Sequence, residues 1–107
     1  MLNNRNETIS VAESLTAGGL ANALTSASGS SSIFIGGLTA YRNEIKIEML
    51  GVDSKLIEEN TVVSEAVAIA MAEGAIKKFG STWAIATTGV AGPGPLEGHL
   101  PGEVWIA

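Results

Sequence analysis

Apolar positions along this chain recur at two spacings, and the alternation between them lays out the elements. Residues 64–79 carry the clearest pattern: Val67, Ala68, Met71, Ala75, Ile76 and Phe79 form one continuous stripe at helical spacing, opened by Ser64 and closed by Gly80. The serine suits a helix N-cap and the glycine a left-handed C-cap. Shorter apolar runs with strand character stand at 8–12 (T-I-S-V-A), 33–41 (I-F-I-G-G-L-T-A-Y), 83–87 (W-A-I-A-T) and 103–107 (E-V-W-I-A). Residues 16–26 read as a helix with Leu20, Ala23 and Leu24 on one face. Residues 43–50 read as a short helix capped by Asn43, with Ile47 and Leu50 inward and Gly51 closing it; 53–59 is another brief helical piece. Gly36-Gly37 inside a strand pattern predicts a bulge or a close backbone approach. Loops fall at 27–32 and 88–102, where Gly, Ser and Pro gather. Strands alternating with helices predict an α/β layered fold. The last run stops with no polar tail, so the sequence reads as a fragment or as a chain completed by a partner.

Composition narrows the function. The 107 residues suit one domain, and an apolar fraction of 46% with only 5% aromatics predicts a core of Ala, Ile, Leu and Val. A net charge of −5 argues against a nucleic-acid groove, which needs a basic face to neutralise phosphates. There is no cysteine, which excludes disulfides and thiolate metal sites. No apolar run reaches the roughly 20 residues of a membrane span, and the start M-L-N-N-R-N-E lacks the apolar core of a signal peptide. The expectation is an acidic cytoplasmic protein acting on a small molecule, with no membrane or nucleic-acid partner.

Chemistry gathers at the expected strand ends. The corner at 11–19, V-A-E-S-L-T-A-G-G, delivers Glu13, Ser14 and Thr16 where a strand gives way to a helix, beside the small residues Ala17, Gly18 and Gly19. Open α/β folds bind ligands at such carboxyl ends, and the first N–H groups of the helix could receive an anion or a carbonyl oxygen. Equally, Ser14 or Thr16 could be a helix cap. Three further clusters are Gly29-Ser30-Ser31-Ser32, the run from Tyr41 through Asn43 to Lys46, and 87–94, T-T-G-V-A-G-P-G. A serine nucleophile needs a base. His99, the one histidine, lies in a Gly- and Pro-rich loop, which argues against a Ser-His-Asp triad. Lys46 is the alternative, because partial burial lowers a lysine pKa; a solvated helix-face lysine is the plainer possibility. The carboxylates show no metal-ligand spacing.

Taken in order, A-E-S-x-T, G-S-S-x-x-F, Y-x-N-x-x-K, V-S-E and T-G-x-A-G-P resemble the CinA C-terminal-domain family from about Thr8 to Ala107. The resemblance implies a three-layer α/β/α sandwich around a mixed, mostly parallel sheet, here one CinA-like domain over residues 1–107 that is incomplete at both ends, its C-terminal part truncated. It also implies an amidohydrolase that converts nicotinamide mononucleotide to nicotinate mononucleotide and ammonia. By motif, Ser14 would be the nucleophile, Lys46 its base, Tyr41 a support for the pair, and Thr88 a wall of the site. Thr16, Ala17, Gly18, Gly19, Ser30, Ser31, Asn43, Gly89 and Gly92 would contact the substrate, with oxyanion donors expected around 17–19. No metal or redox cofactor is implied, and a homo-oligomer is expected. The sequence departs from the family at Ala17, where glycine is usual, at Leu15, and in G-P-L-E-G-H-L-P-G-E, which lacks the usual K-P-V-G. Family members also bring an active-site arginine from beyond V-W-I-A. These departures motivate a second reading, a nucleotide-binding or assembly module of the same family without turnover.

Overall fold

The computed structural model describes residues 6–107. Strand β1 (Ile9–Glu13) turns into helix α1 (Gly19–Thr25), and a 3₁₀ turn at Ser30–Ser32 leads to β2 (Phe34–Thr39). Helices α2 (Asn43–Leu50), α3 (Ser54–Asn60) and α4 (Glu65–Phe79) come next, then β3 (Trp83–Gly89) and β4 (Val104–Ile106). The strand order is β2-β1-β3-β4; β1 runs parallel to both its neighbours, and β4 pairs antiparallel with β3. The sheet is therefore mixed and mostly parallel, as expected. The chain leaves β1 toward β2 and then returns across to β3, so the order reverses at the carboxyl end of β1. Right-handed crossovers running in opposite directions put α1 and α4 on opposite faces of the sheet.

Helix α4 supplies the core through its stripe. Val67, Ala68, Met71 and Ala75 are buried, and the cluster extends through Ala12, Ala86 and Leu50. Ile76 does not join them and is exposed: it sits roughly 140° around the helix from Met71 at 100° per residue. Phe79 instead reaches toward Gly36 on β2. Two close approaches set the layer spacing. A Cβ at Gly74 would run into the Leu50 carbonyl oxygen, so α4 lies directly against the end of α2. A Cβ at Gly37 would collide with the Val11 side chain, which meets the expectation of a close approach in β2. On the opposite face α1 buries none of its residues, and Ile35, Trp83, Val104 and Ile106 stay exposed.

The caps follow local chemistry with two exceptions. Ser64 Oγ accepts from Val67 N–H at 3.3 Å, and Asp53 caps α3 by accepting from Lys55 N–H at 2.9 Å. For α2, Asn43 is not the cap. Arg42 takes the extended N-cap conformation, leaving Asn43 as the first helical residue with its side chain outside the capping position. Helix α1 starts three residues later than its apolar pattern, because Ala17 and Gly18 adopt φ of 48° and 101°, which a right-handed helix cannot contain. At the end of α3, Thr61 has φ 64° and ψ 160°, a region nearly confined to glycine that costs about 1–3 kcal/mol. Among the described residues no helix is long and apolar enough to cross a membrane.

Candidate active site

The carboxyl ends of β1 and β3 and the start of α2 enclose a cavity of about 350 Å³. Ser14 comes directly after β1, and Lys46 belongs to the first turns of α2. The Lys46 Nζ donates to Ser14 Oγ at 3.0 Å and to the Tyr41 carbonyl oxygen at 3.1 Å. Lys46 is only 1% exposed, and burial lowers its pKa from 10.5 to about 8. No carboxylate among the described residues pairs with it within 4.0 Å. The amine is thus held by two neutral oxygens, which stabilise its charge less than an anion would. Ser14 is 8% exposed and lines the cavity, as do Asn43, Thr88, Gly89 and Gly92. Gly89 is a steric requirement: a Cβ there would lie 2.5 Å from the Glu103 carbonyl oxygen and 3.2 Å from Leu15 Cδ1.

Other expected positions take different parts. The Tyr41 residue lines the cavity, but it is 67% exposed and the contact with Lys46 is made by its main chain. Thr88 Oγ1 donates to the Val62 carbonyl at 2.9 Å, tying β3 to the segment ahead of α4. Thr16 is not part of the cavity wall; its hydroxyl lies 2.8 Å from that of Thr87, which also accepts from Ser14 N–H at 3.3 Å. Ala17, Gly18 and Gly19 do not line the cavity, and the N–H groups of Ala17 and Gly19 are engaged within the corner itself. Ala17 N–H donates to the Ser14 carbonyl at 3.1 Å and Gly19 N–H to the Thr16 carbonyl at 2.8 Å. The expectation of oxyanion donors at 17–19 is corrected accordingly. Ser30 and Ser31 precede β2, which runs parallel to β1, so they sit at the amino end of the sheet, away from Ser14. They are not part of this cavity.

Glu13 has a role that the sequence pattern does not announce. Its two carboxylate oxygens accept from Leu20 N–H at 2.8 Å and Ala21 N–H at 2.9 Å, so the last residue of β1 caps α1 from outside the helix. Desolvation by burial raises its pKa, but hydrogen bonds from Thr16, Ala21, Leu20 and Gly18 outweigh that and hold it below 4.5. A folded-state pKa below the unfolded value means stability present above about 4.5 and lost as pH falls through the lower folded value. Glu13→Gln keeps one acceptor and turns an amide N–H₂ toward an N–H donor. It is expected to cost about 1–3 kcal/mol near neutral pH and to flatten the acid limb, read from urea unfolding across pH 3–7.

A second unforeseen cluster lies outside the cavity lining, where the 88–102 loop meets the end of α3. His99 Nδ1 lies 2.8 Å from Glu103 Oε2, and His99 Nε2 lies 2.7 Å from Thr61 Oγ1. Hydrogen bonds from His99 and Trp105 hold the Glu103 carboxyl below its usual range. Among the described residues no group of three or more His, Cys, Asp or Glu could hold a metal ion.

A family model described as the CinA C-terminal domain matches residues 1–107. A CinA-like protein of Synechococcus sp. (strain RCC307) is 58% identical over 93 residues, covering 87% of this chain and 22% of that protein. A CinA-like protein of Synechocystis sp. is 53% identical over 107 residues, covering 99% of this chain and 26% of that one. The chain thus spans about a quarter of the length of these curated relatives. The crystal structure of a competence-damaged protein (CinA) superfamily protein from Escherichia coli superposes with a TM-score of 0.94 at 35% identity, covering 98% of this chain and 62% of that one. A competence/damage inducible protein from Agrobacterium tumefaciens gives 0.93 at 36% identity, covering 98% and 64%. With the sequence match running its whole length and the fold agreeing this closely, the chain belongs to the CinA C-terminal domain family.

Proposed function

We propose that this chain hydrolyses the carboxamide of nicotinamide mononucleotide, giving nicotinate mononucleotide and ammonia, with Ser14 as nucleophile and Lys46 as proton carrier. The observation that carries the reading is the 3.0 Å contact between a buried amine of pKa about 8 and a serine hydroxyl at the edge of an open cavity. An amine with a pKa near neutrality is neutral often enough to accept a proton and, once protonated, acidic enough to return it. Neutral Lys46 takes the Ser14 Oγ proton as Oγ bonds to the carboxamide carbon. The resulting ammonium passes a proton to the amide nitrogen, the C–N bond breaks, and ammonia leaves an ester on Ser14. A water molecule then attacks that ester with Lys46 again as base, which releases the carboxylic acid and restores the hydroxyl. The net change is carboxamide plus water to carboxylate plus ammonium.

The developing oxyanion needs donors from the cavity wall. Leu15 is next to Ser14, lines the cavity, and has an N–H with no partner among the described residues, so it is assigned this role. The cavity falls in the size range of small-molecule sites. No cofactor enters the scheme. The reading also carries a cytoplasmic setting and a homo-oligomer, the latter motivated by the exposed apolar residues Ile35, Trp83 and Ile106. Ala17 in its left-handed conformation motivates the binding-module reading, because it narrows the tolerance of the corner that holds Ser14.

Incubation of this chain with nicotinamide mononucleotide is expected to yield ammonia and nicotinate mononucleotide in equal amounts. A melting temperature raised by the nucleotide with no ammonia would replace the amidohydrolase by the binding module. Neither product nor a melting shift would overturn both.

A further inference from the structure

We propose that His99 is a positioning residue for this cavity, a clasp that fastens the 90–102 loop over its mouth; the proposal rests on the reading that the cavity takes the substrate. The loop is the cavity's outer wall: Ala91, Gly92, Gly94, Pro95 and Leu96 all line it. Yet residues 91–98 are exposed throughout. The base of the loop is closed by Val90 N–H to the Glu103 carbonyl at 2.9 Å and Gly102 N–H to the Val90 carbonyl at 2.8 Å. Its tip is closed by a reciprocal pair between Leu96 and His99, at 3.0 and 2.8 Å. These bonds shape the loop but leave its position over the cavity open.

The His99 side chain fixes that position. With Nδ1–H donated to Glu103 at the foot of β4, Nε2 faces the Thr61 hydroxyl at the end of α3. Among the described residues this is the one hydrogen bond from 91–101 to the helical layer. Thr61 is an effective anchor because its neighbour Val62 belongs to the part of the cavity wall outside the loop. Val62 lines the cavity and accepts from Thr88, so the imidazole links the exposed wall to one that is already fixed. Thr61 holds its strained backbone at the same point, and its hydroxyl also lies 3.2 Å from the Val63 carbonyl. Leu96, one reciprocal pair away from His99, is carried into the cavity by the same contact. The imidazole itself does not line the cavity, which separates it from the Ser14–Lys46 chemistry.

The test compares wild type with His99→Ala and Thr61→Gly by amide hydrogen exchange and by ammonia-release kinetics with nicotinamide mononucleotide. Thr61→Gly removes the hydroxyl, and with it the Val63 contact as well as the His99 one, while the relieved positive φ offsets the lost Val63 contact, so the clasp is unfastened in a chain that still folds. Thr61→Gly is expected to exchange amides in 91–102 about tenfold faster, the factor that one lost hydrogen bond corresponds to, and His99→Ala, which also gives up Glu103, at least as fast. KM is expected to rise about tenfold with kcat within about twofold, because the wall is loosened and the reacting groups are untouched. The double variant is expected to be no worse than His99→Ala alone, since the Thr61–His99 contact is already gone there. Unchanged exchange in Thr61→Gly overturns the clasp, and so does a kcat loss at constant KM. If the wild type releases no ammonia, the amidohydrolase reading fails by itself, and the exchange comparison still decides whether the clasp exists.

Discussion

Ser14→Ala is expected to lower ammonia release from nicotinamide mononucleotide by roughly 10³-fold or more, the scale seen when a serine nucleophile is removed. The variant should fold. Ser14 donates its backbone N–H to Thr87, which alanine retains, and the lost hydroxyl contributes only an acceptor for Lys46. Lys46 keeps the Tyr41 carbonyl, so the loss is one hydrogen bond in a buried site, about 1 kcal/mol. Activity and stability therefore separate cleanly in this variant. Nucleotide binding should survive, since alanine removes one atom from a wall shared with Leu15, Val62, Thr88 and the 90–102 loop. Steady-state release measured beside thermal unfolding checks both halves. Turnover within about tenfold of wild type would remove Ser14 from the nucleophile's role and leave direct attack by water as the surviving chemistry.

Features that act within one turn of chain were legible in the sequence. Ser64 and Gly80 bound α4 as its pattern indicates, and Val67, Ala68, Met71 and Ala75 face the core, because helical spacing alone fixes their direction. The strand runs appear within one or two residues of their expected bounds. Where the local rule failed, a neighbour overrode it. Asn43 reads as a cap by residue type, but the extended conformation of Arg42 shifts the helix start by one position. Ala17 and Gly18 look like the first turn of α1, but their left-handed conformations delay it to Gly19. The site was legible only in pieces. Ser14 and Lys46 are separated by 32 positions, which no spacing rule bridges; the order of motifs paired them, and the parallel register of β1 with β2 and β3 brings their atoms to 3.0 Å. The Glu13 cap was hidden because the acceptor comes from the preceding strand rather than from a position beside the helix start. The loop around His99 argues against its being a base, and the structure agrees, yet its contacts with Glu103 and Thr61 depend on where the loop lands, and composition says nothing of that.

Lys46→Met is expected to abolish ammonia release to a similar extent while leaving the protein at least as stable at pH 7. Methionine fills nearly the same volume with no charge, so it removes both the proton carrier and the cost of burying an ammonium group. That cost follows from the pKa: the drop from 10.5 to about 8 corresponds to at most about 3 kcal/mol at neutral pH. The variant gives part of it back, because Ser14 Oγ and the Tyr41 carbonyl lose their donor, at about 1 kcal/mol each. A net gain of about 1 kcal/mol remains, in keeping with buried charges replaced by apolar groups of like size. The sign of its pH dependence is fixed. The folded pKa lies below the unfolded one, so the unfolded chain binds more protons between pH 8 and 10.5, and wild-type stability gains over that window. The advantage of methionine is therefore full below pH 8 and shrinks as pH climbs toward 10.5, which urea unfolding at pH 7 and pH 10 would read. Wild-type kcat/KM should show the kinetic counterpart, rising with pH through about 8 and then levelling as Lys46 becomes neutral. A pH-independent rate from 6 to 9, or a methionine variant less stable at pH 7 than at pH 10 relative to wild type, would mean that the buried amine is not the group that moves the proton.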